Sequence, residues 1–437
     1  MSVRLSKAGE PEAGEPEAAE PEAGEPEEAG AGGSGAVAGA PGLGRGMVLL
    51  LAVTCGVAVG NVYFPQAVSP LVADGLHVSA DTAALVVTAT QFGYAGGIFL
   101  LVPLGDRVPY RTLIVTLLSL TGLGLLGAGL APGISPLIGA SVLVGVTTVI
   151  AQVIAPTAAG LVPAERRGAV AGTLLSGSIG GMLLSRVFGG TVGEWLGWRA
   201  PYLTTSAVAL VIACVLARAL PRSTAPSRQR YPALLAESFR LLRTEPDLRR
   251  SGFYQAMIFG GFSALWTGVA LLLTGPEYGL GASAVGVLAL VNAATMLCTP
   301  VAGRQVDRRG SDAVNLVCIV GVLVASAVLF AGGLGGAVGL AALGVGSLLL
   351  DVAMQSGTVA NQVRIFGLSD QARARLNTAY MTCAYLGGSV GSWLAVHAYG
   401  AFGWPGVCGL VALLAASALV RHVAHLRGAG REPVTLR

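Results

Sequence analysis

The acid and base chemistry of this 437-residue chain rests on very few side chains. Asp351 is the one carboxylate deep inside an apolar stretch, and Arg186 is the one base in that situation. A charge far from water is costly, so each is a candidate functional group. Asp351 can be held neutral and release a proton when its surroundings change. Gln355 lies one helical turn further on the same face. Arg186 can close a gate, bind an anionic group, or snorkel outward. With Arg186 about four residues from the outer end of its stretch, the two depths differ by about 11 residues. That is roughly 16 Å along a helix, too far for a direct salt bridge.

A second kind of chemistry sits in two short loops. One reads Gly105-Asp106-Arg107-Val108-Pro109-Tyr110-Arg111, the other Gly303-Arg304-Gln305-Val306-Asp307-Arg308-Arg309-Gly310. Their aspartates are 201 residues apart, and each loop lies between two long apolar stretches. The same charged turn at matching places in two hydrophobic halves indicates one structural unit used twice, as in transporters. A carboxylate there can pair with an arginine and sit against the N-terminus of a helix from the other half. Asp106, Arg107, Arg111, Gly303, Asp307, Arg308 and Gly310 are therefore the candidate gating residues.

The elements that must position these groups are membrane spans. Hydrophobic residues make up 53% of the chain and charged residues 11%, and the mean hydropathy is +0.70. A soluble domain carries about a quarter charged residues. Twelve apolar stretches of about 20 residues are long enough to cross a bilayer as helices. They are 46–68, 80–103, 111–131, 135–160, 168–190, 200–219, 251–273, 282–303, 313–333, 336–361, 376–398 and 404–424. Short links such as Ala131-Pro132-Gly133 predict helical hairpins. Residues 1–45 hold nine acids and three bases, and the remainder holds 14 acids and 24 bases. Most of those bases fall in the even-to-odd links, for example Arg107, Arg111, Arg166, Arg167, Arg304, Arg308, Arg364 and Arg375, while the odd-to-even links hold only Arg199. The positive-inside rule then puts both termini in the cytoplasm.

Five parts follow. Residues 1–45 form an acidic, Pro-rich tail expected to be disordered and not a secretory signal. Residues 46–219 form a six-helix bundle, 220–250 a cytoplasmic linker, 251–424 a second bundle and 425–437 a short tail. In the linker, Leu234, Leu235, Phe239, Leu241 and Leu242 fall near one face, which predicts an amphipathic helix on the membrane surface.

Several classes are excluded. Walker A, metal-ligand and nucleophile-elbow patterns are absent, so no enzyme activity, ATP hydrolysis, metal or cofactor is expected. The six cysteines fall in six different spans without paired spacing, which fits packing residues. The loop arginines read as orientation signals rather than a nucleic-acid surface.

The residues also carry a resemblance. The loop 303–310 fits the Gly-x-x-x-Asp-Arg-x-Gly pattern of the major facilitator superfamily. The first copy is a variant, with Val102 and Pro109 where glycines are expected. Asn61-Val62-Tyr63-Phe64-Pro65-Gln66, Gln91-Phe92-Gly93-Tyr94 and Arg375-Leu376-Asn377-Thr378-Ala379-Tyr380 resemble one bacterial subgroup of it. The chain thus resembles a twelve-span drug:proton antiporter over roughly 46–424. The resemblance implies an all-α polytopic fold of two pseudo-symmetric six-helix bundles, gating by the loops, and export. Two departures stand out. Ser141 occupies the place of the branch's buried span-four arginine, and span five (Gly177, Gly180, Gly181, Gly189, Gly190) lacks its Gly-Pro pair.

The expected function is export of a small organic or amphipathic compound by alternating access with proton antiport. An uncoupled exporter or uniporter is the alternative within transport. A non-transporting sensor is the alternative outside it, and the signalling domain it would need is not read in the chain. Candidate cavity residues are Asn61, Tyr63, Gln66, Gln91, Tyr94, Gln152, Trp266, Asn292 and Gln355, a mostly uncharged set suited to amphipathic or neutral molecules. The expected setting is the inner (plasma) membrane, as a monomer with a small-molecule substrate and protons as coupling ion.

Overall fold

The computed structural model describes residues 44–221, 230–369 and 372–429. The acidic tail lies outside them, as do residues 222–229 of the linker and the last residues of the C-terminal tail. All regular structure among the described residues is helical. The first half comprises α1 (Arg45–Leu76), α2 (Ala80–Leu101), α3 (Tyr110–Gly129), α4 (Ile134–Thr147), α5 (Ile150–Gly160), α6 (Ala164–Leu196) and α7 (Arg199–Ala219). The short helix α8 (Tyr231–Thr244) follows. The second half comprises α9 (Pro246–Thr274), α10 (Ser283–Val291), α11 (Thr295–Phe330), α12 (Gly336–Phe366) and α13 (Arg373–Ala429).

Among the described residues the helices make twelve crossings, although the helix boundaries do not coincide with them. The fourth crossing is broken at Thr148 and Val149 into α4 and α5. The eighth begins as α10, passes through the turn Asn292–Ala294 and continues into α11. Two helices are each two crossings: α11 bends at Gly310 (φ 79°) and α13 at Gly403 (φ 62°). Both angles lie in the left-handed region, where a Cβ is strained and glycine is favoured. Outward faces carry exposed apolar residues such as Leu49, Leu123, Val211, Val317 and Leu413. Only a hydrocarbon surround makes such a surface favourable on every side.

Small residues set the helix pairing. An added Cβ at Gly177 or Gly181 of α6 would overlap the carbonyl oxygens of Ala52 and Gly56 in α1. In the second half, Gly387 and Gly391 of α13 meet Ala256 and Gly260 of α9 in the same way. These are the first crossing against the fifth and the seventh against the eleventh, so the two halves repeat one packing device. Gly180, in contrast, faces open space.

Two sequence expectations are corrected here. The fifth crossing does not stop near residue 190; α6 runs to Leu196. Arg186 is therefore ten residues from that end, not four. Asp351 lies 15 residues into α12. The depth difference shrinks to about five residues, or roughly 8 Å. The last helix also extends beyond 424, to Ala429.

At the arginine-rich end of the second half, Asp312 bridges two arginines that are largely buried. Arg250 Nη1 is 3.3 Å from the Asp312 carboxylate, and Arg364 Nη2 donates to it directly. This ties α9, α11 and α12 together. Asp312→Ala would leave two cations facing each other in a semi-buried site. The expected loss is about 2 kcal/mol of stability, read as a lowered midpoint in thermal unfolding of the detergent-solubilised protein.

Candidate functional site

The two membrane charges meet at the junction of the halves. Arg186, on α6, is 0% exposed, and Asp351, on α12, is 2% exposed. Full burial removes outward snorkelling from the three roles the sequence left open for Arg186. Its Nε donates to Gln66 Oε1 of α1 at 3.0 Å, and Nη1 donates to the Met182 carbonyl at 3.4 Å. The guanidinium lies 4.3 Å from the Trp266 ring, 4.9 Å from Tyr63 and 5.7 Å from Phe262. Such rings hold a desolvated cation by their quadrupoles. Trp266 and Phe262 belong to α9, so Arg186 of the first half is seated against the second.

Asp351 is close enough to feel the charge of Arg186, and the side chains of Trp266 and Asn292 stand beside it. Asn292 comes from the turn that joins α10 to α11 and accepts a hydrogen bond from Ser347 Oγ at 3.4 Å. Arg186 and Asp351 nevertheless form no ion pair within 4.0 Å. Among the described residues, nothing reaches Arg186 Nη2, Gln66 Nε2, Trp266 Nε1, Asn292 Nδ2 or Asp351 Oδ1 at hydrogen-bond distance. The sequence pointed to both charges and to Gln66, Tyr63, Trp266 and Asn292. Residue depth alone had kept the charges apart.

A layer of tyrosines lies next to this cluster. The hydroxyls of Tyr63 (α1) and Tyr385 (α13) are 3.4 Å apart. Tyr94 (α2) meets Tyr385 edge-on at 4.4 Å, and Phe259 (α9) does so at 4.8 Å. Gln152 of α5 neighbours Tyr94 and also lines a cavity of about 220 Å³ on the arginine-rich side. That cavity is bounded by Asp106, Pro156, Ser238 of α8, and Arg375 and Thr378 of α13. The other end is sealed. Glu194 of α6 accepts from the Ser283 backbone N–H at 3.0 Å, and a Cβ at Gly190 would lie 2.6 Å from the Ala282 carbonyl. Thr88 of α2 and Thr267 of α9 meet Ser392 of α13 at 3.4 and 2.9 Å. The halves are thus held together at the arginine-poor end, and a cavity lies between them at the arginine-rich end.

The two charged loops differ. Asp106 closes a short 3₁₀ turn after α2, is half-buried, and lines the same cavity as Arg375. Arg375 lies in the first turn of α13, so this carboxylate faces a helix N-terminus of the other half, where negative charge is favoured. Arg375 itself bonds Glu237 of α8 at 2.7 Å. Arg107 is exposed, and Arg111 donates to the Ala217 carbonyl, tying α3 to α7. In the second loop, Asp307 and Arg308 are exposed, a Cβ at Gly303 would touch nothing, and Gly310 makes the bend.

The remaining cavity candidates divide. Asn61 donates to Thr148 Oγ1 at 3.3 Å, bridging α1 to the break between α4 and α5. Gln91 is buried with neither amide atom bonded among the described residues. Gln355 is half-buried. Ser141 donates its hydroxyl to the Leu137 carbonyl at 2.7 Å. Sequence reasoning missed Tyr385, Phe259, Phe262 and the pairing partner Glu237. Arg375 stood in a noted phrase, but nothing in its spacing told which carboxylate it would meet.

Among the described residues, twelve helical crossings in two repeating halves, with buried charges where the halves meet, are the architecture of a polytopic membrane transporter. The sequence profile of the Major Facilitator Superfamily matches residues 49–362, and the chain belongs to that family. The uncharacterized transporter YgaY of Escherichia coli O157:H7 is 32% identical over 366 residues, which cover 84% of this chain and 92% of that protein. The Streptomyces coelicolor protein named probable transporter SCO4007 is 34% identical, covering 87% and 86%. A chloramphenicol resistance protein of Streptomyces lividans is 29% identical over 60% of this chain and 67% of its own. A crystal structure of a mutant of the nucleoside transporter NupG shares the fold, with a TM-score of 0.70 at 12% identity, covering 86% of this chain and 98% of that one.

Proposed function

We propose that this chain exports a small organic compound by alternating access, driven by proton entry, as in the drug:proton antiporter branch. The observation that carries the reading is the pair Arg186 and Asp351, both buried at the junction of the halves yet not bonded to each other. A buried carboxylate without a direct counter-ion has a proton occupancy that follows whatever approaches it. A compound entering beside Asp351 from one side, and a proton replacing it from the other, gives exchange. The resistance protein of Streptomyces lividans, by its name, supports efflux. In this reading the arginine-rich end is cytoplasmic, the protein lies in the inner membrane as a monomer, and the cavity beside Asp106 is the inner vestibule. The bundles 46–219 and 251–424 rock about the Arg186 cluster, with Asp106 and Asp307 as inner latches.

The test is proton release from protein reconstituted in liposomes, on adding amphipathic compounds and small metabolites. Compound-dependent release is expected in the wild type. In Asp351→Asn the compound-dependent proton signal is expected to fall at least about tenfold. Compound flux without any proton signal, unchanged in Asp351→Asn, overturns the antiport reading. It would favour uncoupled export, the reading that Ser141 in place of a buried arginine supports.

The latch has its own test. Asp106→Asn removes a charge set against the start of α13, a contribution of about 1 kcal/mol. Transport is expected to slow roughly fivefold, measured as initial flux in the same liposomes.

A further inference from the structure

We propose that the substrate is a small zwitterion, carrying an anionic and a cationic group on one compact scaffold, bound between Arg186 and Asp351. The proposal rests on the alternating-access reading and deepens it by naming the substrate class. Its basis is the way opposite charges are arranged at the centre of the chain. Arg186 and Asp351 are both fully buried, the first seated on Trp266 of α9 and the second on α12, which packs against α9, yet no ion pair joins them. Each keeps an unused hydrogen-bonding atom: Nη2 on Arg186 and Oδ1 on Asp351. On the Arg186 side, Gln66 Nε2 is a further unused donor, and its carbonyl oxygen is already held by Arg186 Nε. A carboxylate placed there meets two fixed donors. On the Asp351 side, an ammonium meets an unused carboxylate oxygen, a charge-assisted contact.

Singly charged compounds fit less well. A lone anion on Arg186 leaves the Asp351 carboxylate as a like charge in the same buried space. A lone cation on Asp351 faces the Arg186 guanidinium. A zwitterion satisfies both ends and adds no net charge to the interior. The rings of Tyr63, Phe262 and Trp266 supply an apolar wall for the body of the molecule. The ammonium end also gives exchange a physical basis, because it and a proton are alternative partners for the same carboxylate.

Equilibrium binding to the purified full chain in lipid nanodiscs tests this at neutral pH. The probes are phenylalanine, 2-phenylethylamine, 3-phenylpropionate and 2-phenylethanol. Leucine with its matched amine and acid provides a second scaffold. On at least one scaffold, the zwitterion is expected to bind at least about tenfold more tightly than either singly charged analogue. Arg186→Gln should erase its advantage over the amine, and Asp351→Asn its advantage over the acid. The wild-type comparison stands even if a variant fails to fold. The proposal is overturned if a singly charged or neutral analogue binds as well as the zwitterion on both scaffolds, or if no probe binds. Proton release separates this from the broader reading. Release on adding amines or neutral chloramphenicol, with zwitterions inert, sinks the zwitterion and keeps antiport. Zwitterion binding in the expected pattern without proton release does the reverse.

Discussion

Arg186→Leu is expected to lower transport at least about 100-fold while leaving the folded protein as stable as before, or more so. The guanidinium is fully buried, and its direct hydrogen bonds among the described residues are to Gln66 and the Met182 carbonyl. Its charge is not neutralised by an ion pair with Asp351. Desolvating a cation costs several kcal/mol, and replacing such a group by an apolar residue of similar size is often neutral or stabilising. Stability therefore does not account for this residue. What it supplies is a fixed positive charge between α6 and α9, held against Trp266 at 4.3 Å. Losing a fully buried charge-assisted contact made by the substrate costs about 3 kcal/mol, a factor of roughly 150. Flux in liposomes and the thermal midpoint of the same preparation check both halves of the statement. A variant that transports normally, or that loses activity only because it unfolds, contradicts it.

Gly181→Leu is expected to prevent assembly of the first half. At this position a Cβ alone would overlap the Gly56 carbonyl of α1. The obstacle is backbone, so no rotamer change relieves it. The helices must separate, giving up the contact that places Tyr63 and Gln66 of α1 beside Arg186 of α6. Overpacking of this kind costs about 3 kcal/mol or more, a large share of the few kcal/mol that hold a protein folded. Size-exclusion chromatography of the solubilised variant should show aggregate in place of a single peak. Gly180→Leu is the control. Its Cβ enters open space, so the same peak as wild type is expected. Gly391→Leu, at the matching contact of α13 with α9, should behave like Gly181→Leu.

These two residues also show what could be read from the sequence. Arg186 was legible because hydropathy is a local property: a lone charge among twenty apolar neighbours stands out in the chain itself. Asp351 and the two charged loops were visible for the same reason. Gly177 and Gly181 were visible as small residues. Their partners on α1 were not, since 120 or more residues separate the contacting segments. Gln152 and Asn61 illustrate the limit. Both were noted as polar residues within spans, but one lines the arginine-rich cavity and the other ties α1 to Thr148. Nothing in residue type separates those roles.

The sequence by itself determined the helical class, the twelve crossings, the repeated loop and the absence of any enzyme motif. These follow from the length of each apolar run, the position of arginines and the identity of a few polar groups. Only the tertiary structure decided that Arg186 and Asp351 share one site, that Tyr385 closes a layer over it with Tyr63 and Tyr94, and that Glu237 takes Arg375 beside Asp106. Those outcomes depend on where α6 ends, how deeply α12 is set, and which glycines let two backbones touch. Each is a property of helices in contact, and no single segment carries it.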